Sequence, residues 1–130
     1  MFSHIVLAWD ESNAARHAAD YAFVLAEKFG SRIDIVSVPA LEENAALALT
    51  LEALRIEAER RGLQTTRVVV MPADVKPESA IVKHAYDSGA DVIVIGHRPL
   101  DPLERFIVGS VSERVVRAAP CAVLSVAGSE

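Results

Sequence analysis

Short apolar runs alternate with segments of helical periodicity along the whole chain. The runs are rich in β-branched residues and apolar on both faces, which is typical of central strands in a parallel sheet. The predicted strands are His4–Trp9, Ile33–Val38, Thr65–Met71, Asp91–Ile95 and Cys121–Val126. The segments that repeat apolar residues at helical spacing are Asn13–Phe29, Glu42–Arg61, the stretch that begins at Pro77 and ends at Gly89, and Val111–Ala119.

This alternation predicts the fold class. Five strands that alternate with four helices indicate one α/β domain over residues 1–130, with a parallel sheet and helices on both faces. In such open sheets, ligands bind outside the carboxyl ends of the strands, where the winding direction reverses. Asp10, Val38 and Gly96 each stand at or just past a strand's carboxyl end, so all three are candidate binding residues.

The helix ends and the buried helix faces can also be predicted. Ser12 is suited to cap the first helix, and Gly30 is suited to end it. In the last helix, four residues are expected to face inward: Val111, Val115, Val116 and Ala119. The stretch Gly128–Glu130 is expected to be a frayed tail.

Composition and charge exclude several classes of protein. The chain is 52% hydrophobic and 24% charged, which is an ordinary globular composition and not a disordered one. A net charge of −5 argues against a nucleic-acid surface. No apolar run approaches the length of a membrane span, no export signal is recognisable, and the single cysteine, Cys121, cannot form an internal disulfide. These features predict a soluble cytoplasmic protein.

A loop with two glycines follows the fourth strand. It begins with Gly96-His97-Arg98-Pro99 and reaches Gly109-Ser110-Val111-Ser112 at the start of the last helix. A strand, a glycine loop and a helix N-terminus in this order can present backbone N–H groups to an anion. Gly96 and Gly109 can adopt positive φ and allow a close approach of a phosphate. The alternative is that both glycines only end regular structure and that the two serines cap the helix.

Several stretches together resemble the universal stress protein family. They are Ile5–Ser12, Asp91–Gly96, Gly109–Val115 and Ala119–Leu124. The resemblance covers essentially the whole chain, and the carboxyl half is its specific part. It implies the adenine-nucleotide-binding α/β fold with strand order 3-2-1-4-5, and it implies ATP, with Mg²⁺, as the ligand.

The resemblance also implies a homodimer joined through antiparallel pairing of the last strand. The residues that would form this contact are Ala122, Val123, Leu124, Ser125 and Val126. The pattern of the chain agrees, because a short apolar strand at a sheet edge favours a pairing partner.

The ATP-binding members of that family carry Gly, two residues, Gly, nine residues, Gly, and then Ser or Thr. In this chain Gly96 fits the first position, Pro99 replaces the second glycine, and Gly109-Ser110 complete the pattern. With the family pattern included, phosphate binding by this loop is the favoured interpretation. Pro99 argues against it, since proline fixes φ near about −65° and has no N–H donor.

The charged residues of the loop allow two interpretations. Arg98 and Arg105 could bind phosphates, or they could form salt bridges with Asp101 and Glu104 within a solvated loop. The two acidic residues would repel a triphosphate unless a cation intervenes.

The remaining site residues are assigned by the resemblance. Asp10 would contact the ribose or a phosphate-bound metal, and Val38 would contact adenine through its backbone. The alternatives are a helix-capping aspartate and a core valine. Trp9 could stack on adenine, fill its space, or simply pack in the core.

The histidines show no metal-ligand spacing. His97 lies in the loop and could reach a phosphate, whereas His4, His17 and His84 are expected at the surface or at helix caps. No Ser–His–Asp set and no paired acid and base can be argued from the spacing, so no catalytic residue is assigned.

The sequence therefore favours a regulatory module of the stress response that binds an adenine nucleotide, ATP or AMP. The alternative is a dimeric interaction protein of the same fold with a degenerate pocket. Slow ATP hydrolysis has the least support.

Overall fold

The computed structural model describes residues 1–37, 45–63, 66–72, 74–98 and 111–128. The strands are β1 (His4–Trp9), β2 (Arg32–Ser37), β3 (Thr66–Val70), β4 (Val92–His97) and β5 (Ala122–Ala127). The helices are α1 (Asn13–Phe29), α2 (Ala45–Arg60), α3 (Pro77–Ser88) and α4 (Val111–Ala118).

The five strands form one parallel sheet in the order β3-β2-β1-β4-β5, which confirms the predicted fold and strand order. The chain winds outward from β1 through β2 to β3 and then returns to pair β4 with the other side of β1. The direction of winding therefore reverses between β1 and β4, where Leu7 lies opposite Val94. A ligand of an open α/β sheet is expected at the carboxyl end of this strand pair.

Two apolar clusters hold the helices to the two faces of the sheet. The first packs Ile5, Leu7 and Phe23 with the buried faces of α1 and α2. The second packs Val6, Ile93 and the inner faces of α3 and α4. Burial of each large side chain contributes about 1.5–3 kcal/mol to the stability of the fold. Packing of these two clusters therefore holds the strands, and with them the strand ends, in fixed positions.

The local signals at the ends of the helices act as expected. The Ser12 hydroxyl accepts a hydrogen bond from the Ala15 N–H at 3.0 Å and caps α1. Gly30, at φ 64°, ends α1 in the left-handed conformation that glycine allows. Pro77 stands in the first turn of α3, where its missing N–H costs no hydrogen bond. None of the described helices is both long enough and apolar enough to cross a membrane.

Three expectations about local structure are wrong. Val116 is 53% exposed, because it follows the fully buried Val115 and is turned about 100° away from it around α4. Gly96 lies inside β4, which continues to His97, and does not stand after the strand. Gly128 is buried, and its N–H donates to the His97 carbonyl at 2.8 Å, so the chain is still paired at this residue.

Candidate functional site

A small cavity opens at the carboxyl ends of the central strands, where the winding reverses. Its volume is about 120 Å³, whereas sites that enclose a whole small molecule usually have roughly 300–1,000 Å³. It can therefore hold only part of a larger ligand. The residues that line it are Ala8, Trp9, Asp10, Ala15, Val36, Pro77, Ile81, Ile95, Gly96 and Val111.

Three of the predicted site residues meet at this cavity. Asp10 follows β1, Gly96 belongs to β4 and Val111 begins α4, so three separate parts of the chain converge. The walls are otherwise mostly apolar, which suits a planar aromatic ring that loses its contact with water when it binds. Ser112, on the first turn of α4, is 7% exposed.

Asp10 organises the start of α1. Its Oδ1 accepts hydrogen bonds from the Ser12 N–H at 3.0 Å and from the Ser12 hydroxyl at 2.5 Å. The same hydroxyl accepts from Ala15 N–H. Asp10 thus supports the helix cap, as one of the two interpretations expects. Both bonds use Oδ1, and no donor among the described residues is bonded to Oδ2.

Glu11, which lies between Asp10 and Ser12, has a φ of +66°. This left-handed conformation costs a residue with a side chain about 1–2 kcal/mol. The strain lies in the turn between β1 and α1, directly after Asp10.

Replacing Glu11 with glycine is expected to stabilise the protein. Glycine removes the left-handed penalty but adds about 0.5–1 kcal/mol of backbone entropy in the unfolded chain. The net gain should be about 0.5–1 kcal/mol in the free energy of unfolding, measured by urea denaturation. Glu59→Gly, in the exposed part of helix α2, should have the opposite sign. A loss of stability in Glu11→Gly would contradict the strain.

Gly96 serves a packing requirement. Unlike Gly30, Gly62 and Gly89, it does not adopt positive φ, so it does not use the conformational freedom that glycine has. A Cβ atom on Gly96 would lie 2.3 Å from the Ala14 carbonyl carbon and 2.4 Å from its oxygen. Only a glycine lets the end of β4 approach the backbone of α1 this closely.

His97 and Arg98 follow Gly96 at the end of the sheet. The His97 Nδ1 atom lies 2.6 Å from the Ser125 hydroxyl, a hydrogen bond that joins β4 to β5. Neither His97 nor Arg98 lines the cavity. Of the other predicted residues of this region, Val38, Pro99, Gly109 and Ser110 lie outside the described residues.

A second polar cluster lies toward the opposite end of the sheet. Asp34, on β2, is 2% exposed. The His84 Nε2 atom hydrogen-bonds its Oδ2 at 2.8 Å, and the Arg67 guanidinium lies 3.2 Å from the same oxygen. The His4 Nε2 atom is 3.1 Å away, within ion-pair distance but without hydrogen-bond geometry.

This cluster corrects the expectation for two histidines. His4 is 5% exposed and the His84 side chain 13%, so neither is a surface residue. His4 is buried and His84 is half-buried because Asp34 gives their ring nitrogens a charged partner within the core. The one available signal was an aspartate inside the apolar second strand.

The electrostatics of Asp34 favour the carboxylate. Burial raises the pKa of Asp34, but the His84 hydrogen bond and the attraction of His4 and Arg67 outweigh it, and the pKa lies below its ordinary value. Among the described residues, no group of three or more His, Cys, Asp or Glu is arranged to hold a metal ion. The cluster thus links β1, β2, β3 and α3 through one buried carboxylate.

Comparisons with known proteins identify the family of the chain. The family model described as the universal stress protein family matches residues 1–127. A universal stress protein of Thermus aquaticus is 36% identical over 138 residues, which cover 97% of this chain and 99% of the relative.

Two solved structures share the fold. A universal stress protein in complex with cAMP superimposes with a TM-score of 0.79 at 21% identity, covering 98% of each chain. The Archaeoglobus fulgidus universal stress protein in complex with dAMP gives 0.73 at 22%, covering 97% of this chain and 99% of the other.

Proposed function

The chain belongs to the universal stress protein family, and we propose that it is a single-domain regulatory module that binds an adenine nucleotide. The site is the cavity at the carboxyl ends of β1 and β4. The module acts in the cytoplasmic stress response. The observation that carries the proposal is the convergence of Asp10, Gly96 and Val111 at the point where the winding of the sheet reverses.

Each part of a nucleotide has a chemically suitable place there. The apolar walls suit the adenine ring, and the Oδ2 of Asp10, which no donor in the described part of the chain binds, can accept a hydrogen bond from a ribose hydroxyl. The phosphate then lies toward the first turn of α4 at Ser112, where helix N–H groups and the helix dipole favour an anion. The relatives that bind cAMP and dAMP support an adenosine ligand.

More specifically, we propose that the bound nucleotide is ATP together with Mg²⁺. A triphosphate near the Asp10 carboxylate needs a cation to offset the repulsion, and Mg²⁺ binds through one or two carboxylates plus phosphate oxygens. AMP, with its smaller charge, does not require the metal.

Isothermal titration calorimetry with AMP, and with ATP plus Mg²⁺, tests the site. We expect Asp10→Ala to weaken binding by about 10- to 100-fold, because hydrogen bonds to a charged group contribute about 1.5–3 kcal/mol. Ser12→Ala is the matched control, since it removes the α1 cap and leaves the carboxylate. It should lower stability by about 1 kcal/mol and still bind. If neither AMP nor ATP with Mg²⁺ gives binding heat at millimolar concentration, the proposed site is refuted.

A second function is favoured by one feature of the sequence. Pro99 stands where ATP-binding members of the family carry a glycine, and proline supplies neither an N–H donor nor a positive φ. The alternative is therefore an interaction protein with a degenerate pocket, which would purify without nucleotide.

Pro99→Gly separates the two functions. If the loop contributes to binding, the variant should bind ATP more tightly than the wild type, by about fivefold for one regained hydrogen bond. The measurement is the same calorimetric titration. If neither protein binds, the alternative function is favoured.

We also propose that the protein is a homodimer joined through β5. This strand is last in the sheet order, so it pairs only with β4 among the described strands. An open edge of this kind favours antiparallel pairing with a second copy. Equilibrium sedimentation should give the dimer mass.

A further inference from the structure

We propose that His4 is a pH-sensitive switch: when its ring takes up a proton, Nδ1 exchanges the Arg32 guanidinium for the Ser88 carbonyl. The inference concerns the polar cluster around Asp34 and does not depend on the nucleotide site. His4 begins β1 and is buried. Its ring therefore meets fixed partners, and the protonation state of the ring decides which of them it binds.

The Nδ1 atom of His4 faces two groups that make opposite demands. The Arg32 guanidinium lies 3.1 Å from it and can only donate a hydrogen bond. The Ser88 carbonyl lies 3.3 Å from it and can only accept one. Nδ1 can bind Arg32 only when it carries a lone pair, and it can bind Ser88 only when it carries a proton. The two contacts are therefore alternatives.

The Nε2 atom of His4 determines which neutral form the ring adopts. It lies 3.1 Å from Oδ2 of Asp34, which is ionised at neutral pH. A neutral ring with its proton on Nδ1 would turn the lone pair of Nε2 toward this carboxylate, and two acceptors repel each other. The neutral ring therefore carries its proton on Nε2, and its Nδ1 lone pair accepts a hydrogen bond from Arg32.

A second proton on the ring reverses the choice at Nδ1. The new Nδ1–H donates to the Ser88 carbonyl at the carboxyl end of α3, where the helix dipole favours a cation. The charged ring repels the Arg32 guanidinium, and Arg32 is exposed at the start of β2, so its side chain can turn into water. Protonation thus attaches the last turn of α3 to β1 and releases Arg32.

The charged groups around the ring allow both states. On β2 and β3, Asp34 attracts a protonated ring, whereas Arg32 and Arg67 oppose it. From α3, the His84 Nε2 atom shares the Asp34 oxygen and adds a positive charge when it is protonated. The Asp91 carboxylate, just before β4, accepts the backbone N–H that belongs to the same residue as the ring, at 2.9 Å. Within the described residues, two carboxylates and two guanidinium groups therefore surround the ring, and neither charge is in excess.

Long-range ¹H–¹⁵N spectra of the ¹⁵N-labelled protein test the switch, because they show which ring nitrogen carries a proton. The chain has four histidines, and each gives its own pair of ring nitrogen signals. At about pH 8 we expect Nε2 of His4 to be protonated and Nδ1 to be unprotonated. As the pH falls to about 5, Nδ1 should become protonated. The Arg32 Nε–H resonance should move with the same midpoint, because the guanidinium loses its partner.

Arg32→Met provides the second readout, since methionine keeps an unbranched side chain but cannot donate. Loss of the donor and of its positive charge removes what favours the neutral ring, so the titration midpoint of His4 should rise by about 0.5–1 pH unit. Arg16→Met is the matched control, because Arg16 lies on α1 and pairs with Asp20 and Glu57. It should leave the midpoint unchanged.

The spectra can contradict the switch in several ways. A proton on Nδ1 of His4 at about pH 8, or an unprotonated Nδ1 in the folded protein at about pH 5, would overturn it. An Arg32 resonance that does not follow His4 would also overturn it. So would equal midpoints in the wild type and Arg32→Met, or an equal rise in Arg16→Met, which would reflect surface charge alone. If Arg32→Met does not fold, the wild-type spectra decide by themselves.

Discussion

Asp34→Ala is expected to lower the free energy of unfolding by about 3–5 kcal/mol, the usual cost of removing one partner of a buried charged cluster. The substitution takes away the oxygen that the His84 Nε2 atom binds at 2.8 Å and that lies 3.1 Å from the His4 Nε2 atom. Both ring nitrogens then remain in the core without their acidic partner. Urea denaturation at neutral pH measures the change.

A matched control is Asp20→Ala. Asp20 also pairs with an arginine, Arg16, but its side chain is half exposed. An exposed pair of this kind contributes about 0.5 kcal/mol, so the control should change stability little. Equal losses in the two variants would contradict a buried role for Asp34.

The difference in stability between the wild type and Asp34→Ala should depend on pH, because the pKa of Asp34 is lowered in the folded protein. In the folded protein that pKa lies below the ordinary value of 3.8. The stabilisation by the carboxylate is therefore complete above that value and is lost as pH falls through the lower, folded pKa. The gap in stability between the wild type and Asp34→Ala should be constant near neutral pH and should shrink in acid. A gap that persists unchanged below the folded pKa would contradict the electrostatic account.

Gly96→Ala is expected to destabilise the protein by about 3 kcal/mol, the upper end of the range for overpacked cores. The added methyl would lie 2.3 Å from a backbone carbon of Ala14. Backbone atoms cannot rotate away as a side chain can, so α1 must move relative to β4. Thermal and urea unfolding measure the loss.

Two further variants distinguish this clash from a general cost of replacing glycine. Gly89→Ala, at φ 69° with open space around the new methyl, should cost about 1 kcal/mol through backbone strain alone. Ala14→Gly should not rescue Gly96→Ala, because the clashing atoms are the carbonyl group of Ala14 and the amide nitrogen of Ala15. Rescue by Ala14→Gly would show that the conflict involves the side chain.

The elements could be predicted because their signals are local. The bounds of α1 were predicted correctly from Ser12, which caps it, and Gly30, which ends it. The strand order was implied by the family resemblance, and parallel pairing followed from the alternation of apolar runs with helical segments. The bounds of β1 were also predicted correctly, whereas those of the other four strands shift by one or two residues, since nothing in an apolar run marks where pairing with a neighbour stops.

The Asp34 cluster could not be predicted from periodicity. His84 and Asp34 are 50 residues apart in the chain, and their contact exists only because α3 packs across β2. A prediction that considers each element separately places a histidine at the surface, because the buried carboxylate that pairs with it lies on another element.

Part of the lining of the cavity could be predicted. Asp10 and Gly96 were found from the rule that ligands lie past the carboxyl ends of strands, and the structure brings both to one cavity with Val111. The packing role of Gly96 was not foreseen, because it depends on the distance between β4 and α1.

The most direct test of the central claim is a titration of ¹⁵N-labelled protein with AMP, followed by backbone amide shifts. Binding at the proposed cavity predicts saturable shifts at Asp10, Gly96, Val111 and Ser112, with His4 and Asp34 at the other end of the sheet unchanged. Unchanged spectra at millimolar AMP, or shifts confined to residues away from the carboxyl ends of β1 and β4, would contradict it.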